Sequence, residues 1–139
     1  MTDADIELQH LWLEVQAKRW QNLSRFLFSY YCYKHNLVSK TNKVTARASL
    51  PCSKTITERK HAVIEPLIPE DTVVGLLKTI SKDGDMSFEI MASTLDTFLR
   101  YVVISKQEKS QLKPNMPASW YQLENKPLMA RFELAGIVI

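Results

Sequence analysis

Between Lys40 and Lys60 the chain sets Lys40, Lys43, Arg47, Lys54, Arg59 and Lys60 among serines and threonines. Cations spaced this way neutralise phosphates while hydroxyls and backbone amides donate hydrogen bonds to them, so the segment suits a polyanion held by its backbone. Such a segment grips and does not read bases. The plainer alternative is a solvated hairpin whose charges discourage edge pairing or meet Glu65, Glu70 and Asp71. A second cluster is aromatic: Phe26, Phe28, Tyr30, Tyr31 and Tyr33, flanked by Arg25, Lys34 and His35. Aromatics interleaved with cations stack the bases of single strands. At this density on a helix they more often form a core or a dimer contact, with Trp20, Phe26, Tyr30 and Tyr31 as its interface residues.

Catalytic chemistry is poorly represented. His10 and Glu14 fall one helical turn apart, as do Cys32 and His35, but neither pair has a third partner at a suggestive spacing. The chain has no GxSxG, no glycine-rich phosphate loop and no HExxH, so neither a catalytic residue nor a cofactor or metal is expected. Ser81 to Glu89 superficially looks like a calcium loop. It places Met86 where the sharp turn needs glycine and Ala92 where a bidentate glutamate is required, so it is expected to be a helix-terminating turn. Cys32 and Cys52 are too few for a disulfide framework and are expected to be buried thiols.

Residues 72–113 resemble the helix-turn-helix pattern of many DNA-binding proteins, winged-helix regulators among them. Ala92 would be the small residue of the first motif helix, with Leu95 three and Val102 ten positions on. The resemblance implies a recognition helix carrying Arg100, Lys106 and Lys109, where arginine reads guanine and lysine holds phosphates. The sequence departs from the pattern at Asp96, where glycine is usual, at Thr97, where an apolar residue is usual, and at the bulky Phe98. Without a motif, Phe88, Met91, Leu95 and Leu99 are core residues of packed helices, or of a helix followed by a strand.

The elements that would position these groups follow from periodicity. Apolar residues at spacings of three and four predict a long helix from Asp3 to about Asn36, capped by Thr2 or Asp3 and broken near Gln21 and Asn22. Lys43 to Leu50 alternates Val44, Ala46, Ala48 and Leu50 with polar residues, and Lys54 to Arg59 alternates around Ile56. This predicts a basic β-hairpin turning near Pro51 to Ser53. Val73, Leu76, Leu77 and Ile80 give a helix over 69–82 that Asp83-Gly84 ends, and Ser87 caps the next one. Residues 98–105 are open between helix and strand, because Tyr101, Val102, Val103 and Ile104 are β-prone. Leu128 to Ile139 alternates and then turns wholly apolar, which predicts a C-terminal strand.

The expected fold is therefore α+β and one domain over 1–139: a helical arm or dimerisation segment over 1–38, the basic hairpin over 39–60, and a helical core with a C-terminal strand over 61–139. The 139 residues, 45% hydrophobic and 24% charged, describe a folding chain. Three glycines and six prolines argue against a turn-rich all-β sandwich. The net charge of +3 is uneven: residues 39–60 carry six basic side chains against one acidic, and residues 61–100 three against seven. Acidic residues at the start do not suit a secretory signal, and no run is long and apolar enough for a membrane helix, so a cytoplasmic location is expected.

These features point to a non-enzymatic nucleic-acid-binding protein, a DNA-binding regulator or a mobile-element accessory protein. It would favour duplex DNA and form a homodimer through the aromatic helix. The other reading is a protein-interaction module, an adaptor or inhibitor subunit of a larger complex, whose aromatic helix and apolar C-terminal segment meet a protein partner. A small enzyme would need a pocket in which His10, His35, His61 or a cysteine meets carboxylates.

Overall fold

Thr2 starts the first helix by reciprocal capping: its hydroxyl accepts from the Asp5 backbone N–H at 3.1 Å, and the Asp5 carboxylate accepts from the Thr2 N–H at 2.8 Å. The computed structural model describes residues 1–41 and 43–139 and has the expected α+β character. In chain order its elements are α1 (Asp3–Gln16), α2 (Trp20–Lys34), α3 (Ala46–Ser49), β1 (Val63–Pro66), α4 (Glu70–Lys82), α5 (Phe88–Phe98), β2 (Tyr101–Ile104), α6 (Lys106–Gln111), a 3-10 turn (Ala118–Gln122) and α7 (Ala130–Leu134). They gather into two compact units, Met1–Thr45 with Glu70–Leu99 and Ala46–Pro69 with Arg100–Ile139.

The first unit is helical. The long N-terminal helix breaks earlier than its sequence suggests, at Lys18, whose φ of 56° is left-handed; Asn36 ends α2 in the same conformation. Arg19 pairs with Glu14 across the break at 3.1 Å. α1 and α2 pack on each other, α2 on α4, and α5 on both α1 and α4. Leu11, Val15, Leu23, Leu27, Tyr30, Val73, Leu77, Met91 and Leu95 form the buried interior. The Ser87 hydroxyl caps α5 by accepting from the Ile90 N–H at 3.1 Å, as its position predicts. Gly84, with φ of 81°, follows α4, which makes the calcium-loop look-alike a helix-ending turn. Asp96 accepts a hydrogen bond from the Tyr30 hydroxyl at 3.3 Å and pairs with Lys34, tying α5 to α2.

The second unit is built around β2. Its four residues are all buried, and it pairs antiparallel with β1 in the register Val63↔Ile104 to Pro66↔Tyr101. On its other edge Val103 exchanges backbone hydrogen bonds with residues 51–53: the Ser53 N–H donates to Val103 at 3.0 Å, and the Val103 N–H to Pro51 at 2.9 Å. Leu67, Val102, Ile104, Phe132 and Ile137 make the core. A β-prone run covered on every side is stable as a strand, which settles residues 101–104.

Three sequence expectations are corrected. The basic hairpin does not form. Ala46–Ser49 is one helical turn closed by the Leu50 N–H donating to Ala46 at 2.9 Å, and Ala46 and Leu50 are buried while Ala48 is exposed, a spacing of four and not of two. Residues 54–59 make no strand, and Asn42, within the expected hairpin, lies outside the described residues. The C-terminal strand is likewise replaced by α7. There Phe132 is buried and Leu134 exposed, and Gly136 (φ 71°) ends the helix while the Ile137 N–H reaches back to Phe132 at 3.0 Å. The recognition helix is absent as well. Leu99 turns extended directly after α5, so Val102 lies in a strand and Lys106 and Lys109 lie on the six-residue α6.

Candidate nucleic-acid interface

The basic segment of the second unit is shaped by one of its own arginines. Arg59, half-buried, donates from Nη1 to the backbone carbonyls of Leu50 at 2.7 Å and Arg47 at 3.3 Å, and its Nη2 lies 3.4 Å from Cys52 Sγ. It satisfies carbonyls left open by the end of α3, so its charge is turned inward. Arg47 in turn lies exposed, with Nη1 3.5 Å from the Lys60 carbonyl, a contact at the limit of hydrogen bonding.

A second fixture holds the segment to the start of α6. Ser53, buried, donates from Oγ to Glu108 at 2.7 Å, and Glu108 accepts from the Ser105 N–H at 2.9 Å in a capping box. Burial raises the pKa of the Glu108 carboxyl. The Ser105 backbone N–H and the hydroxyls of Ser53, Ser105 and Thr55 outweigh that effect and hold the pKa below the ordinary 4.5. This places Lys106 beside a depression of about 370 Å³ lined by Thr55, Thr57, Glu58, His61 and Ser105 as well.

The nine expected contact residues therefore divide by environment. Lys54, Lys60 and Lys106 are exposed and stand in no ion pair among the described residues, and Arg47 is exposed. Lys109 pairs with Glu65 and Arg59 holds backbone carbonyls, so both serve the fold. Arg100 is half-buried and immediately precedes β2 in the chain. Lys40 and Lys43 are exposed in the first unit, next to the Val38–Val44 bridge.

Of the expected interface aromatics, Tyr30 and Tyr31 are core residues of the first unit, whereas Trp20 and Phe26 are half-buried, with the Phe26 ring 5.7 Å from that of His10. Burial raises the pKa of the Tyr30 hydroxyl above its ordinary value, an effect larger than the opposing pull of Lys34. Sequence reasoning passed over Ser53, Glu108 and Arg131. The Ser105-x-x-Glu108 capping box was the signal available for Glu108; Arg131 gave none. Among the described residues no group of three or more histidines, cysteines and carboxylates is placed to hold a metal.

No family model matches this chain, and no curated protein or solved structure matches it either. The class its geometry defines is structural: an α+β protein with a helical unit and a unit built on a two-stranded antiparallel sheet. Among its described residues no helix is long and apolar enough to cross a membrane.

Proposed function

We propose that this chain is a non-enzymatic nucleic-acid-binding protein that grips phosphates through the second unit, in the cytoplasmic setting of a DNA-binding regulator or mobile-element accessory protein. The observation that carries this reading is the set of exposed cations Arg47, Lys54, Lys60 and Lys106 on one unit, all four outside any ion pair among the described residues. Thr57 lines the depression beside Lys106, and its hydroxyl supplies a neutral donor. Such a surface favours the phosphate backbone over base edges, so the binding is expected to be weakly sequence-selective.

Fluorescence anisotropy with a mixed-sequence duplex and a matched single strand tests the reading. Four neutralised phosphates give a salt slope of about −3.6, which is roughly a 100-fold loss between about 50 and 200 mM salt. Replacing Lys54, Lys60 and Lys106 together with alanine should flatten that loss to a few-fold. Undetectable binding to either nucleic acid would overturn the proposal in favour of the protein-interaction module. Exposed Leu123, Leu134 and Val138 in the second unit are the observation supporting that alternative.

A further inference from the structure

The second unit holds another concave feature, which shares no lining residue with the cationic segment. Between α7 and the irregular chain after α6 lies a cavity of about 290 Å³. Its two charged lining residues are both cations, Lys113 and Arg131. Gln111 and Asn115 contribute amides, and the rest of the wall is apolar, Met116 and Leu134 foremost.

Arg131 is the unusual member. It is 4% exposed; its Nη1 donates to the Lys113 carbonyl at 3.1 Å, and its Nη2 donates to Glu65 at 2.9 Å and to the Pro66 carbonyl at 2.6 Å. Its Nε is buried with no hydrogen-bond partner among the described residues, and a buried donor left alone is costly. Glu65 is shared with Lys109, so two cations flank one carboxylate and the cluster keeps an excess positive charge. A built, rigid cation lining an apolar cavity is the usual arrangement for orienting a small ligand by its charged end.

We infer that this cavity binds a small amphiphilic anion, a carboxylate on an apolar body of about ten non-hydrogen atoms, the size that such a volume admits. The carboxylate lies toward Lys113 and Arg131, and the apolar body lies along Met116 and Leu134. Leu134 both lines the cavity and is 68% exposed, so it stands at the opening.

Calorimetric titration of the full chain with octanoate tests this, with octan-1-ol and octylamine as matched probes. Octanoate is expected to bind at one site, with the alcohol and the amine weaker by about tenfold or more. Lys113→Glu should weaken octanoate by about tenfold, and Leu134→Trp should abolish its binding by filling the opening. Both positions are exposed, so the variants should keep the native circular dichroism spectrum. Three probes that bind alike, no octanoate binding at millimolar concentration, or variants that bind as the parent does would each overturn the inference. Because the cationic-segment variant touches none of these residues, nucleic-acid binding and anion binding fail or stand independently.

Discussion

Arg131 on α7 donates from Nη2 to Glu65 Oε2 on β1 at 2.9 Å, and the two side chains are 4% and 9% exposed. A buried pair of this kind adds little over a well-packed apolar pair, but removing one partner strands a charge. Arg131→Met is therefore expected to cost about 3 kcal/mol, at the low end for a buried pair because Lys109 remains on Glu65. Adding Glu65→Leu should restore part of that loss. Urea unfolding of the two variants checks it, and a double variant less stable than the single would contradict the account.

The Ser53–Glu108 fixture makes stability depend on pH. Glu108 has its pKa lowered in the folded chain, so its contribution is complete above the ordinary value of 4.5 and is lost as pH falls through the lower folded value. Glu108→Gln should remove that part of the acid dependence and leave neutral-pH stability reduced. Unfolding midpoints measured at a series of pH values from neutral to acid would show it; parallel curves for parent and variant would refute it.

Lys18 adopts a left-handed conformation that L side chains pay for with about 1 kcal/mol. Lys18→Gly is expected to raise stability by up to about 1 kcal/mol, and Lys18→Val to lower it, since a β-branched residue fits that region worst. Thermal midpoints read the difference. Equal midpoints would mean that the break between α1 and α2 is not under conformational strain.

Burial pushes the Cys32 thiol up to about 11, which keeps the reactive thiolate scarce at neutral pH. In a Cys52→Ser background, a thiol reagent at about pH 8 should modify Cys32 only as fast as the helical unit opens, and denaturant should accelerate it by orders of magnitude. Rapid labelling of the native chain would be inconsistent with this packing. Because the raised value favours the neutral thiol in the folded state, the associated stability is present below the ordinary 9.0 and declines as pH rises toward 11.

Where the chain carries several turns of one period together with a stop signal, its sequence was enough. The helix over 69–82, the Asp83-Gly84 ending and the Ser87 cap all appear in place, because apolar spacing and cap chemistry act within a few residues. Short windows failed. Ala46 and Leu50 satisfy both a two-residue and a four-residue period, and four residues of alternation do not distinguish a strand from a single helical turn. At the C-terminal end Gly136 is the helix stop, and the alternation around Phe132 is too short to tell a strand from the helix it ends. The cationic segment was found as composition but not as shape, and the inward turn of Arg59 depends on carbonyls that only the folded loop presents. Glu65 and Arg131 are separated by 66 positions, so no local pattern could have joined them.

Each of the two units is assembled from two separate stretches of chain, with crossings after Thr45, Pro69 and Leu99. Neither is a cassette. No single truncation point yields one whole unit without severing the other, because their stretches alternate along the chain. A frameshift or early stop before residue 100 deprives both of material they need, and a later one deprives the second unit alone. Recombination could exchange one unit intact only by crossing over at all three junctions.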